Sequence, residues 1–143
     1  MNYYLSLGAN IGEREKTLRE AIQMLEQQVG HVRSCSNFYY SAPWGFESEH
    51  EFCNLCCCVE SDKTPMDVLR LTQGIERTLG RDKKSNIIRH QSVYSDRTID
   101  IDIIRVLDAA GKEYTVDTPE LTIPHPLWEK REFVKVPLAE ILP

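Results

Sequence analysis

The chain has 143 residues, 41% hydrophobic and 27% charged, the composition of one ordinary globular domain (1–143) large enough to bury a core without staples. A formal charge of −5 argues against nucleic-acid binding, which draws on excess positive charge, and neither an apolar run of membrane-spanning length nor a charged-then-apolar leader is present. Five cysteines, odd in number and three of them consecutive (Cys56, Cys57 and Cys58), make a poor disulfide framework or zinc site, so a reducing, cytoplasmic setting is expected.

Tyr3-Tyr4-Leu5-Ser6-Leu7 predicts a short strand, stopped by Gly8-Ala9-Asn10-Ile11-Gly12. A helix is predicted over 14–28, because Leu18, Ala21, Ile22, Leu25 and Val29 recur on one face, and Gly30 ends it. Segments 32–40 and 52–60 read as strands joined by a loop containing Ala42-Pro43-Trp44-Gly45. Cys53 and Cys56 to Cys58 read as small core residues of the second strand. Thr64-Pro65-Met66-Asp67 is a helix start: a hydroxyl at the cap, proline where its missing N–H costs nothing, and an acidic first turn. That helix turns Val68, Leu71, Thr72, Ile75 and Leu79 inward and ends at Gly80. A last strand begins near Ile99, and Asp108-Ala109-Ala110-Gly111 turns into a short partner, 114–116. The order β-α-β-β-α-β with a C-terminal extension predicts an α+β fold, a ferredoxin-like sandwich with an antiparallel sheet and helices packed on one face. The other face is then open for a site.

The segment Asp96-Arg97-Thr98-Ile99-Asp100-Ile101-Asp102-Ile103-Ile104 alternates acidic and apolar residues. On a strand Ile99, Ile101 and Ile103 face one way, and Asp100 and Asp102 the other, with Cα atoms roughly 6.5–7 Å apart. Carboxylates so placed repel unless a cation lies between them, and paired hard oxygens suit magnesium that also binds phosphates. On the pair alone, a metal site and a wet strand face are equally good readings. Arg81, Lys83, Lys84, Arg89 and Arg97 make 81–97 basic within an acidic chain, which fits an anion site or a solvated loop. His125, held between Pro124 and Pro126, has a stiff backbone suited to fixing a ring against a ligand, or simply to a rigid turn. Gln73 and Glu76 share a helix face. No G-x-x-x-x-G-K-[ST] loop, G-x-G-x-x-G or G-x-S-x-G occurs, so a phosphate site here must use side-chain cations and metal.

Taken in order, Ser6-Leu7-Gly8-Ala9-Asn10-Ile11-Gly12, Tyr39 to Gly45, Phe52-x-Asn54, Ile75-Glu76-x-x-x-Gly80-Arg81, the Asp-Arg-x-Ile-Asp-Ile-Asp-Ile segment, Ile123-Pro124-His125-Pro126 and Arg131-x-Phe133-Val134-x-x-Pro137-Leu138 resemble the 6-hydroxymethyl-7,8-dihydropterin pyrophosphokinases of the folate pathway. The resemblance runs from Leu5 to Pro143. It implies transfer of the β,γ-pyrophosphoryl unit of ATP to the pterin hydroxymethyl oxygen, releasing AMP. Asp100 and Asp102 would then bind two magnesium ions, with Arg81, Arg97 and a lysine of the Lys83-Lys84 pair on the triphosphate. Gln73, Glu76, Ile103, His125 and Arg131 match nucleotide-holding positions. Gly8, Asn54 and the Ala42-Pro43-Trp44 backbone would lie against the pterin, sandwiched between Phe52 and Phe133. The family's stacking tyrosine is Phe52 here, a common W-G-P-R is Tyr94-Ser95-Asp96-Arg97, and 81–94 is longer than in many members. The implied partners are small molecules, with no nucleic acid and no membrane, and the chain is expected to act as a monomer. A non-catalytic ligand-binding module is the alternative, and a nucleotidyl or glycosyl transferase using the D-x-D is a third; neither accounts for the His125 and Phe133 matches.

Overall fold

A computed structural model describes residues 1–42, 51–80 and 98–143. The elements in chain order are β1 (Asn2–Ala9), α1 (Arg14–Gln28), β2 (His31–Cys35), β3 (Tyr39–Ser41), β4 (Phe52–Glu60), α2 (Pro65–Gly80), β5 (Asp100–Leu107), β6 (Glu113–Tyr114), β7 (Val116–Asp117), β8 (Thr122–Ile123) and α3 (Glu132–Ile141). Strands β2-β4-β1-β5-β6 form an antiparallel sheet, β3 also pairs with β4, and β7 with β8 makes a separate hairpin. This is the expected α+β sandwich.

The period of two sorts the central strands into two faces. Tyr3, Leu5, Leu7 and Ala9 of β1, Cys53, Leu55, Cys57 and Val59 of β4, and Ile101 and Ile103 of β5 form one buried cluster with Leu18, Ala21 and Leu25 of α1 and Val68 and Ile75 of α2. The start of α2 is built as its sequence dictates: Thr64 Oγ1 accepts from Asp67 N at 3.2 Å, and Thr64 O from Val68 N at 2.9 Å. Gly30 serves close approach, because a Cβ there would fall 2.1 Å from Glu60 O.

Four local expectations are corrected. Gly8 and Ala9 do not stop β1 but continue it, paired with Asn54 and Cys53. The single strand expected over 32–40 is two, β2 and β3, because Ser36 turns its hydroxyl onto Cys56 N at 2.9 Å where a continuing strand would offer its carbonyl. The partner expected at 114–116 divides, Tyr114 pairing with β5 and Val116 with β8. The C-terminal extension ends in α3, which crosses to the second face. There Val134 and Leu138 pack on Tyr4, Cys56, Cys58, Ile104 and Leu107. Among the described residues α3 thus covers part of that face, and Ser6, Gly8, Asn54, Asp100 and Asp102 lie outside its apolar cluster. No helix among the described residues is long and apolar enough to cross a membrane.

Candidate active site

Among the described residues, the end of the sheet beyond α3 is a cross-strand row. Gly8 of β1 stands opposite Asn54 of β4 on one side and Asp100 of β5 on the other. In the next row Ser6 lies between Cys56 and Asp102. Neighbouring residues on one face of antiparallel strands are within side-chain reach, so the paired carboxylates of β5 and the amide of Asn54 share one surface across a glycine.

Asn54 is 2% exposed, and its Nδ2 donates to Tyr39 O and to Ser41 Oγ, both at 2.9 Å. A carbonyl can only accept, so the nitrogen must face Tyr39 and the oxygen must face Gly8. A Cβ on Gly8 would sit 2.8 Å from Asn54 Oδ1 and 3.6 Å from the Phe52 ring. The glycine leaves room for an acceptor oxygen and an aromatic face, and its backbone angles require nothing unusual. Ser41 and the Tyr39 carbonyl, inside the Tyr39 to Gly45 stretch but outside the expected binding residues, hold that amide in place; the polar end of a three-residue strand carries no periodic signal.

On the edge of β5 away from β1, Glu76 Oε2 of α2 accepts from Ile101 N at 2.7 Å. Burial, then the neighbouring charge of Asp100, pushes the Glu76 carboxyl up to about 8, although the Ile101 hydrogen bond pulls the other way. Glu76 and Asp100 also share a side-chain hydrogen bond, and Asp102 adds to the repulsion. Glu76 shares a helix face with Gln73 in sequence, but the fold brings it to the aspartates, while Gln73, one turn earlier, is exposed. The linkage has a definite sign. A carboxyl raised in the folded state contributes nothing adverse below its unfolded value near 4.5, and stability is lost as pH rises from there through about 8. Without metal, Glu76→Gln is therefore expected to match the parent's thermal midpoint near pH 4.5. Above about pH 8 it should exceed the parent by a plateau on the order of 5 °C. Melting curves across that range check this; a constant offset at every pH would contradict it.

Ile103 is 4% exposed with its side chain in the helix-side core. Two residues beyond Ile101, whose N–H points outward, it presents backbone groups to the same edge. Farther along, Ile104 O accepts from His125 N at 2.8 Å, which anchors the Pro124-His125-Pro126 turn, entered through a cis Ile123–Pro124 bond. Leu127 N donates to His125 Nδ1 at 3.2 Å, so the neutral ring carries its proton on Nε2. Burial and the Arg131 charge hold that ring's pKa down, against an opposing pull from Asp100. Arg131 is 7% exposed, with its guanidinium 5.8 Å from the Phe133 ring centroid at the start of α3.

The structure thus brings Gly8, Asn54, Phe52, Glu76, Asp100, Asp102, His125 and Arg131 toward one end of the sheet, with Phe133 beside Arg131 and packed against the cluster under α3. Ala42 directly follows β3. Arg81, Lys83, Lys84, Arg97, Pro43 and Trp44 lie outside the described residues. No cluster of three His, Cys, Asp or Glu among the described residues makes a ready metal cage. Asp100 and Asp102, two carboxylates on one face, are hard-oxygen donors, and their mutual repulsion fits a divalent cation that completes its shell with phosphate oxygens.

A family model described as 7,8-dihydro-6-hydroxymethylpterin-pyrophosphokinase matches residues 4–143. The chain is 46% identical over 140 residues to a 2-amino-4-hydroxy-6-hydroxymethyldihydropteridine pyrophosphokinase of Porphyromonas gingivalis, covering 98% of this chain and 90% of that one. It is 35% identical over 139 residues to the protein of the same name from Bacillus subtilis, covering 96% and 76%. A solved HPPK-DHPS structure in complex with substrates is similar in fold, with a TM-score of 0.68 at 15% identity; the match covers 99% of this chain and 40% of that one.

Proposed function

The chain belongs to the 7,8-dihydro-6-hydroxymethylpterin-pyrophosphokinase family, and we propose on that premise that the Gly8–Asn54–Asp100 end of its sheet is where the two substrates meet. The protein is a transferase of the folate pathway: it moves the pyrophosphoryl group of ATP onto the hydroxymethyl oxygen of 6-hydroxymethyl-7,8-dihydropterin and releases AMP. In that reaction the hydroxymethyl oxygen bonds to the β-phosphorus, the bond from the β-phosphorus to the oxygen bridging it to the α-phosphorus breaks so that this oxygen leaves with AMP, and the hydroxyl proton departs. The ligand-binding-module alternative is not favoured.

The observation that carries the site reading is the single row holding Asn54, Gly8 and Asp100. Asn54 Oδ1, aimed over Gly8, would accept from an N–H of the pterin, its nitrogen being committed to Tyr39 and Ser41. Phe52 and Phe133 would stack on the two faces of the ring. Asp100 and Asp102 would hold two magnesium ions against the phosphates. Magnesium, when bound, supplies the positive charge that neutralises the triphosphate and the leaving AMP. Arg81, Arg97 and the Lys83-Lys84 pair would add side-chain cations, the arginines with a planar two-pronged fork. The backbone of Ile103, the Nε2–H of His125, and Arg131, Gln73 and Glu76 would line the nucleotide. Alignment of the hydroxyl with the β-phosphorus is then the main service of the residues themselves.

We also read 1–143 as a single domain that works as a cytoplasmic monomer without nucleic acid or membrane. Its free cysteines fit a reducing compartment, and its negative charge weighs against nucleic acid. The direct test is the nucleotide product. Protein given ATP, magnesium and the hydroxymethyl pterin should yield AMP and a pterin diphosphate in equal amounts, and nothing without magnesium. Formation of ADP alone would overturn the assignment.

A further inference from the structure

Outside the site, five thiols crowd β2 and β4, and two of them stand directly opposite each other. Cys35, the last residue of edge strand β2, is paired in register with Cys57 of β4. Ser36 N donates to Cys56 O at 2.8 Å, which makes Ser36–Cys56 a hydrogen-bonded position of the ladder. The adjacent Cys35–Cys57 pair is therefore a non-hydrogen-bonded position, where opposed Cα atoms lie about 4.5 Å apart and side chains come closest. A disulfide accepts Cα separations of roughly 4.4–6.8 Å, so the backbone already has a bridgeable spacing.

Access is selective. Cys35 is exposed, whereas Cys53, Cys56, Cys57 and Cys58 are all buried. The Cys56 thiol is engaged with Val134 O at 3.7 Å. The thiols of Cys35 and Cys57 are in hydrogen-bonding contact, which favours the thiolate on Cys35 and holds the proton on buried Cys57. The exposed partner is thus the nucleophile and the buried one waits behind it.

We propose that Cys35 and Cys57 form a peroxide-reactive dithiol that closes into a reversible cross-strand disulfide. The Cys35 thiolate attacks one oxygen of hydrogen peroxide, breaking the O–O bond, and becomes a sulfenic acid as hydroxide leaves. Cys57 sulfur then attacks the Cys35 sulfur and the sulfenic oxygen departs as water, the thiol proton going to solvent base. In sum, two thiols and one peroxide give one disulfide and two waters.

The experiment treats the full-length protein with equimolar hydrogen peroxide, alkylates the remaining thiols, and maps the digest by mass spectrometry. One intramolecular Cys35–Cys57 link is expected, with two thiols lost per chain. The thermal midpoint should rise on the order of 5 °C and return on reduction with dithiothreitol. Cys57→Ser should instead leave a Cys35 sulfenic acid that dimedone traps. Cys35→Ser, altered only at an exposed position, should lose no thiols at the same dose. Sulfinic acid on Cys35 without a link, a bridge between chains, or undiminished thiol loss in Cys35→Ser would each overturn the proposal.

Discussion

Asp100→Asn and Asp102→Asn are each expected to fold and to lose AMP formation by about 10³-fold or more. The two side chains leave β5 on the face opposite Ile101 and Ile103, so neither fills the helix-side core. Asparagine keeps the shape and a hydrogen-bonding oxygen but cannot carry the charge that a divalent cation needs. The substitution also removes one member of a repelling group that includes Glu76, so metal-free stability should hold or rise slightly. Raising magnesium should recover part of the turnover of each variant, because an amide oxygen remains a weak ligand. A product assay over a magnesium titration, with melting curves alongside, separates this from misfolding. Turnover near that of the parent in either variant would remove the aspartates from the reaction.

Where one residue type decides a feature alone, the chain declares it. Thr64-Pro65 starts α2 as written, Cys53 and Cys56 to Cys58 are buried, and the Asp/Ile alternation of β5 sorts its carboxylates from the core. Other features depend on what meets what. Helix α3 has the helical spacing Phe133, Val134, Pro137, Leu138, Ile141, but Pro137 sits inside it and reads as a breaker. Packing on Tyr4, Cys56 and Ile104 sustains the helix through that lost hydrogen bond. Gly8 looks like a turn glycine until the register sets Asn54 beside it. Glu76 looks like one more solvated helix carboxylate; only the docking of α2 against β5 brings it to Ile101 N and Asp100. Long-range pairing produced each of these, and no local pattern encodes it.

The second large effect expected is at Gly8. Gly8→Ala places a methyl 2.8 Å from Asn54 Oδ1, a contact too short to persist. Asn54 cannot turn aside cheaply, since it is buried and its nitrogen is tied to Tyr39 O and Ser41 Oγ. Displacing it breaks two hydrogen bonds, and overpacking a closed row of a sheet costs about 1–3 kcal/mol. The oxygen proposed to meet the pterin is displaced at the same time. The ratio kcat/KM for the pterin should therefore fall about 10- to 100-fold, while KM for ATP, bound beyond the Asp100 side, stays close to the parent value. A structural accident would weaken both substrates together. The decisive comparison is a double-mutant cycle. Asn54 supplies two of the three atoms nearest the added methyl, so in an Asn54→Ala background Gly8→Ala should have little further effect on pterin turnover. Losses that simply add would mean the methyl acts on something other than Asn54, and that the Gly8–Asn54 row does not read the pterin.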